Sequence, residues 1–180
     1  MARAQRVFVA VMPPRGLVAD AFQAMRAMDL PVLRRSPGRQ VHLTLHFAGD
    51  RSARELPALI ESLERAASGV HAFELQPGAL VTLPRGAPSR QLALLTSAPG
   101  GLVELVSRLT RRLARRPRAR PADRYEPRMT LCELRHSGVE LGIESEFAAQ
   151  PFEVSEIVCM RTITVASRVE HREVARCSLR

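Results

Sequence analysis

Val41-His42-Leu43-Thr44-Leu45-His46-Phe47-Ala48-Gly49-Asp50 alternates apolar and polar residues with the period of a strand buried on one side only. The alternation predicts Val41, Leu43, Leu45 and Phe47 on the buried face and His42, Thr44 and His46 on the open one. An imidazole and a hydroxyl two residues apart on an open face suit a phosphate. The hydroxyl donates to a phosphoryl oxygen, and the imidazole gives or takes a proton near neutral pH. A half-exposed strand with polar residues facing water would read the same way, so the motif alone does not decide.

A second stretch, Pro127-Arg128-Met129-Thr130-Leu131-Cys132, repeats the spacing: polar, apolar, threonine, leucine. It predicts Arg128, Thr130 and Cys132 on one face, with Met129 and Leu131 on the other. The pair of motifs resembles the two-histidine phosphoesterase superfamily, which carries one His-x-Thr motif in each half of the chain. The nearest branch is similar to the RNA 2',3'-cyclic phosphodiesterases, also called 2'-5' RNA ligases. Arg6–Val11 followed by Pro13-Pro14 resembles that family's opening strand, and Ser155-Glu156-Ile157-Val158 the start of its closing hairpin. By this resemblance, Arg128 stands where the family has its second histidine.

The resemblance implies a single two-lobed domain over residues 1–180. It is expected to be α+β, with two antiparallel sheets and flanking helices related by a pseudo-twofold around a central cleft. It also implies hydrolysis of 2',3'-cyclic phosphate ends to 2'-phosphates without a metal or other cofactor. His42 is then the general acid, and Thr44 and Thr130 hold the phosphoryl oxygens. A guanidinium stays protonated in proteins, so Arg128 cannot be a base, but it can clamp phosphate in a bidentate way. Candidate substitute bases are His46, by its parity with His42 and Thr44, then Glu126 and Cys132. The alternative function is a catalytically inactive protein that binds RNA ends or nucleotide phosphates on the same scaffold.

The net charge of +9 favours an anionic partner such as RNA or an oligonucleotide. All 27 basic residues are arginine, a bias that genome composition also produces. One tyrosine and no tryptophan argue against a broad aromatic platform, so phosphate contact is expected more than base reading. Arg34, Arg35 and Arg39 lead into the first motif. Arg111, Arg112, Arg115 and Arg116 decorate a helix before the second. Both sets are candidate RNA or phosphate contacts. Three widely spaced cysteines without a CxxC pair read as reduced thiols in a cytoplasmic protein, and no apolar run is long enough to span a bilayer. Nothing in the sequence demands more than a monomer, and no obligate protein partner is evident.

Along the chain, strands are predicted at 6–12, 41–48, 71–75, 79–83, 91–96, 125–133, 152–165 and 169–179. Helices are predicted at 14–28, from a Ser52/Glu55 capping box to near Gly69, and at 101–116. Residues 29–40 and 134–150 read as loops, the latter with at most a helical turn. His71 lacks a hydroxyl partner and reads as structural or exposed.

Overall fold

In chain order the elements are β1 (Gln5–Val11), α1 (Arg15–Arg26), β2 (Leu33–Arg35), β3 (Leu43–Arg51) and α2 (Leu56–Ala67). Then come β4 (Phe73–Leu75), β5 (Pro77–Leu83), β6 (Gln91–Thr96), α3 (Gly100–Leu113) and β7 (Arg128–Leu134). The chain closes with β8 (Glu144–Glu146), β9 (Phe152–Val154), β10 (Glu156–Val165) and β11 (Arg168–Ser178). The computed structural model describes residues 5–113, 125–135, 138–166 and 168–180.

β1 is central to the first half. Its alternate residues Val7, Val9 and Val11 enter the core shared with the helices, while Phe8 and Ala10 join Val158 and Met160 on the opposite face. The main sheet runs β11-β10-β1-β3-β7-β6-β5-β8, with β2 also paired to β7, and all its pairings are antiparallel. β4 and β9 form a separate two-stranded sheet. The architecture is α+β, as expected. The two expected sheets are fused into one at a seam: among the described residues β3 meets β7 at Leu43↔Met129, and β2 pairs with β7 over Leu33–Arg35. Each half of the sheet therefore ends at that seam in a motif strand.

The helices form where the sequence placed their apolar stripes. Leu17, Val18, Ala21, Phe22 and Met25 are buried on α1, and Leu102, Leu105, Val106, Leu109 and Leu113 on α3. The Ser52/Glu55 capping box is present, with the Ser52 N–H donating to Glu55 Oε2 at 2.8 Å. It opens a 3-10 turn over Ala53–Glu55 that runs into α2. A fully buried leucine contributes roughly 1.5–3 kcal/mol, so these stripes hold the helices to one side of the sheet. The other side is left for the cleft.

Leu43 is completely buried and sits on the seam itself. Leu43→Ala is expected to destabilise the fold by ~2–5 kcal/mol, because it removes packing at the bridge between β3 and β7. Chemical denaturation checks this. A loss below about 1 kcal/mol would mean that the seam collapses around the deletion.

Two short strands were not legible in advance. β2 lies in the predicted 29–40 loop, and β8 in the predicted 134–150 loop. Both are three-residue segments that exist because they pair with β7 and β5, at partners remote in sequence. The predicted 152–165 strand is also split. Ser155 separates β9 from β10, so Phe152–Val154 turns away to pair with β4.

Candidate active site

The single bridge Leu43↔Met129 fixes how the two motifs meet. In an antiparallel register, that pair sets His42 opposite Thr130 and Thr44 opposite Arg128. Leu43 and Met129 are buried on the helix side, so the four polar residues share the other face. All four line one cleft of about 1060 Å³, which spans the seam between the halves.

The halves match in detail. On β1, Ala10 pairs with Thr44; on β6, Ala93 pairs with Thr130. Both alanines are fully buried, which leaves a small neighbour beside each hydroxyl. Each motif strand then carries an extra residue just after its threonine, Leu45 in β3 and Leu131 in β7, where the register slips by one. Such a bulge reverses the parity of the residues after it.

That reversal corrects three expectations. His46 is paired with Val9, on the helix side, and its Nδ1 lies 3.5 Å from the Thr110 hydroxyl of α3. It reaches the cleft wall but does not stand beside His42 and Thr44 on the open face. Cys132 is likewise turned inward, opposite Leu92 in the core, and cannot face a substrate. Phe47 goes the other way: it is 64% exposed and lies on the cleft side, 6.1 Å from the Phe8 ring. Glu126, the remaining substitute base, does line the cleft. Its carboxylate accepts from Arg85 at 3.0 Å and from Arg128 at 3.2 Å, so both oxygens are engaged by guanidinium groups.

His42 is held through its Nδ1–H, which donates to the Gln40 carbonyl at 2.7 Å. That bond leaves Nε2 as the nitrogen for chemistry. The ring stacks on Phe8 at 4.8 Å between centroids. Burial pushes its pKa below the ordinary histidine value, and the Gln40 hydrogen bond opposes the shift. Thr130 donates to Gln91 Oε1 at 3.3 Å. Arg128 is nearly half exposed, and its pairing with Glu126 keeps it at the cleft mouth.

Two cleft residues had no role in the sequence reading. The Tyr125 hydroxyl donates to the Thr44 carbonyl at 2.8 Å, which ties the segment before β7 to the first motif strand. Burial raises the phenol's pKa, so it stays a donor. His171, on β11, lies edge-on to both Phe8 and His42, at 5.0 and 5.3 Å between centroids. This histidine falls within the predicted 169–179 strand, but no neighbouring hydroxyl motif drew attention to it.

Arg34, Arg35 and Arg39 also line the cleft. Arg34 pairs with Glu133 at 3.4 Å, Arg39 with Glu170 at 3.9 Å, and the Arg35 guanidinium covers the Phe22 ring at 4.9 Å. Exposed pairs of this kind contribute only about 0–1 kcal/mol, so a phosphate can compete for these cations. Arg111 and Arg112 are exposed on α3 and are not among the residues that line the cleft, although Thr110 beside them is. Arg115 and Arg116 lie outside the described residues. Among the described residues, no group of three or more His, Cys, Asp or Glu is arranged to hold a metal ion. The three cysteines are free and buried, and among the described residues no helix is long and apolar enough to cross a membrane.

Burial holds both His42 and His171 below the ordinary histidine value of 6.5, so each is more readily protonated in the unfolded chain. The unfolded state then binds more protons as the pH falls through 6.5, and stability falls with it. The melting temperature should therefore drop between about pH 7.5 and 5.5, and His171→Gln should reduce that drop. A pH-independent melting temperature across this range would contradict the lowered pKa of the two rings.

The seam of two antiparallel motif strands carries an imidazole, a guanidinium and two hydroxyls on its open face, groups whose chemistry suits an anion. Residues 13–90 match the family model of the LigT-like phosphoesterases. The fold is shared along the whole chain. TT0787 of Thermus thermophilus is 21% identical with a TM-score of 0.81, covering 97% of each chain. E. coli LigT complexed with phosphate is 24% identical with a TM-score of 0.79, covering 99% of each chain. E. coli LigT complexed with 3'-AMP is 21% identical with a TM-score of 0.78, again covering 99% of each. No curated protein matches the chain. The resemblance read from the first motif is borne out by the family match and the fold.

Proposed function

We propose that this chain is a cytoplasmic RNA 2',3'-cyclic phosphodiesterase that opens the cyclic phosphate to a 2'-phosphate by side-chain acid–base catalysis. The observation that carries this reading is the interlocked quartet, His42 opposite Thr130 and Thr44 opposite Arg128, on one face of the cleft. His42, with its Nδ1 fixed, presents Nε2 to protonate the departing 3'-oxygen. Thr44 and Thr130 donate to the non-bridging oxygens. Arg128 stabilises the charge that builds on them in the transition state. The rim arginines Arg34, Arg35 and Arg39 receive the phosphodiester chain behind the reacting end, without sequence preference. The E. coli LigT complexes with phosphate and 3'-AMP, on the same fold, support a nucleotide phosphate in this cleft.

A second reading is favoured by one observation. Arg128 supplies a cation where proton transfer would need a base, so the cleft could bind cyclic ends without turning them over. Incubating the purified chain with a 2',3'-cyclic mononucleotide, with and without EDTA, separates the two. Turnover unaffected by EDTA is the result expected of the enzyme. Saturable binding with the cyclic ester recovered intact would establish the binding protein instead.

A further inference from the structure

We propose that His171 is the second acid–base residue of this cleft, taking the proton of the attacking water while His42 gives its proton to the leaving oxygen. The inference rests on the phosphodiesterase reading and names a group that the two motifs do not contain. It starts from position. His171 lines the same cleft as His42 and Arg128, and its ring stands at 88° to that of His42, with 5.3 Å between centroids. The two rings are held alike. The Nδ1 of His42 is engaged by the Gln40 carbonyl at 2.7 Å, and the Nδ1 of His171 by the Thr162 hydroxyl at 3.2 Å. Each ring is left with Nε2 for a substrate. Phe8 fixes both orientations at once, stacked on one and meeting the other edge-on.

The step balances without any further reagent. With Nδ1–H donating to Thr162, neutral His171 accepts a proton at Nε2 from a water whose oxygen attacks phosphorus. The P–O3' bond breaks, and its electron pair takes the proton from the His42 imidazolium. The product carries a 2'-phosphate and a free 3'-hydroxyl. His171 is left protonated and His42 neutral, and exchange with solvent resets both.

Two adjacent imidazoles also tend to titrate apart, since one positive charge disfavours a second. Burial, and then the charge of His42, lower the His171 pKa, and burial lowers that of His42 as well, so the roles are assigned from position. The charged groups around the pair are Arg39 and Glu170 at the rim, Arg128 with Glu126 across the cleft, and Glu173 further along the same face of β11. Among these, Glu126, Glu170 and Glu173 are each paired to an arginine. His171 is the neutral acceptor of the set.

The test is steady-state turnover of a 2',3'-cyclic mononucleotide as a function of pH, with full-length chains. The natural chain should give a bell, its acidic limb set by the base. His171→Gln should lower kcat by ~10²–10⁴ with KM little changed, and should remove the acidic limb. Thr162→Val keeps the imidazole but removes its Nδ1 partner. It should lower kcat by a smaller factor and displace the same limb, which guards against a His171→Gln chain that fails to fold. Turnover in the natural chain with kcat and both limbs unchanged in His171→Gln would overturn the assignment and leave the phosphodiesterase reading intact. Absence of turnover in the natural chain, with the mononucleotide bound, would overturn both.

Discussion

His42→Ala is expected to lower turnover of cyclic-phosphate ends by ~10²–10⁴ while leaving affinity for the 2'-phosphate product nearly unchanged. The alkoxide leaving from phosphorus is a poor leaving group unless it is protonated as the bond breaks. His42 is the ring whose Nδ1 is fixed by Gln40 and whose plane is fixed by Phe8, so its Nε2 is aimed with little freedom to lose. The proposed phosphate contacts, from Thr44, Thr130 and Arg128, are left in place by the substitution. The alkaline limb of the pH profile should vanish with the ring, because that limb reports the acid. A His42→Ala chain with kcat within about tenfold of the natural one would remove His42 from the chemistry.

The other large effect concerns Arg128. Arg128→Gln is expected to reduce kcat by ~10²–10³, the usual cost of losing one donor aimed at developing charge. The cation sits opposite Thr44 by register, and Glu126 holds it at 3.2 Å. The loss should fall on kcat more than on KM if the guanidinium engages the phosphoryl oxygens most strongly in the transition state. Arg128→His discriminates further. If His171 already serves as the base, a second imidazole at position 128 cannot offset the lost cation, and turnover falls. A rise above the natural rate would mean that a base is missing from the cleft and that position 128 was its place.

The parts of this site that the sequence carried are those with local periodicity. His42 shares a face with Thr44, and Arg128 with Thr130, because the residue between each pair is apolar, and alternation shows that. The meeting of the two pairs was implied only by the family resemblance. The leucines of α3 and the Ser52/Glu55 cap were equally plain, since a helix writes its buried face into i, i+3 and i+4 positions. Parity stopped being reliable at Leu45 and Leu131. A bulge is a property of two paired strands, and the partner residues, Val9 with Ala10 and Leu92 with Ala93, lie tens of residues away. So His46 and Cys132 read as cleft residues and are turned to the helices, while Phe47 read as core and is exposed. His171 and Tyr125 were missed for a related reason. Each belongs to the site through one long-range contact, with the rings of His42 and Phe8 in one case and the Thr44 carbonyl in the other. No local pattern encodes either contact.

The same bulge recurs in both motif strands. Each half places a threonine beside a buried alanine and then turns its next polar or thiol side chain inward. One half completes that frame with an imidazole and the other with a guanidinium.

The most direct measurement is to hydrolyse a 2',3'-cyclic-phosphate-ended RNA with the purified chain and locate the product phosphate by phosphorus NMR. Protonation of the 3'-oxygen by His42 predicts a 2'-phosphate with a free 3'-hydroxyl, and its formation should be lost in His42→Ala. A 3'-phosphate product, or a cyclic end that stays intact while bound, would contradict the proposed chemistry.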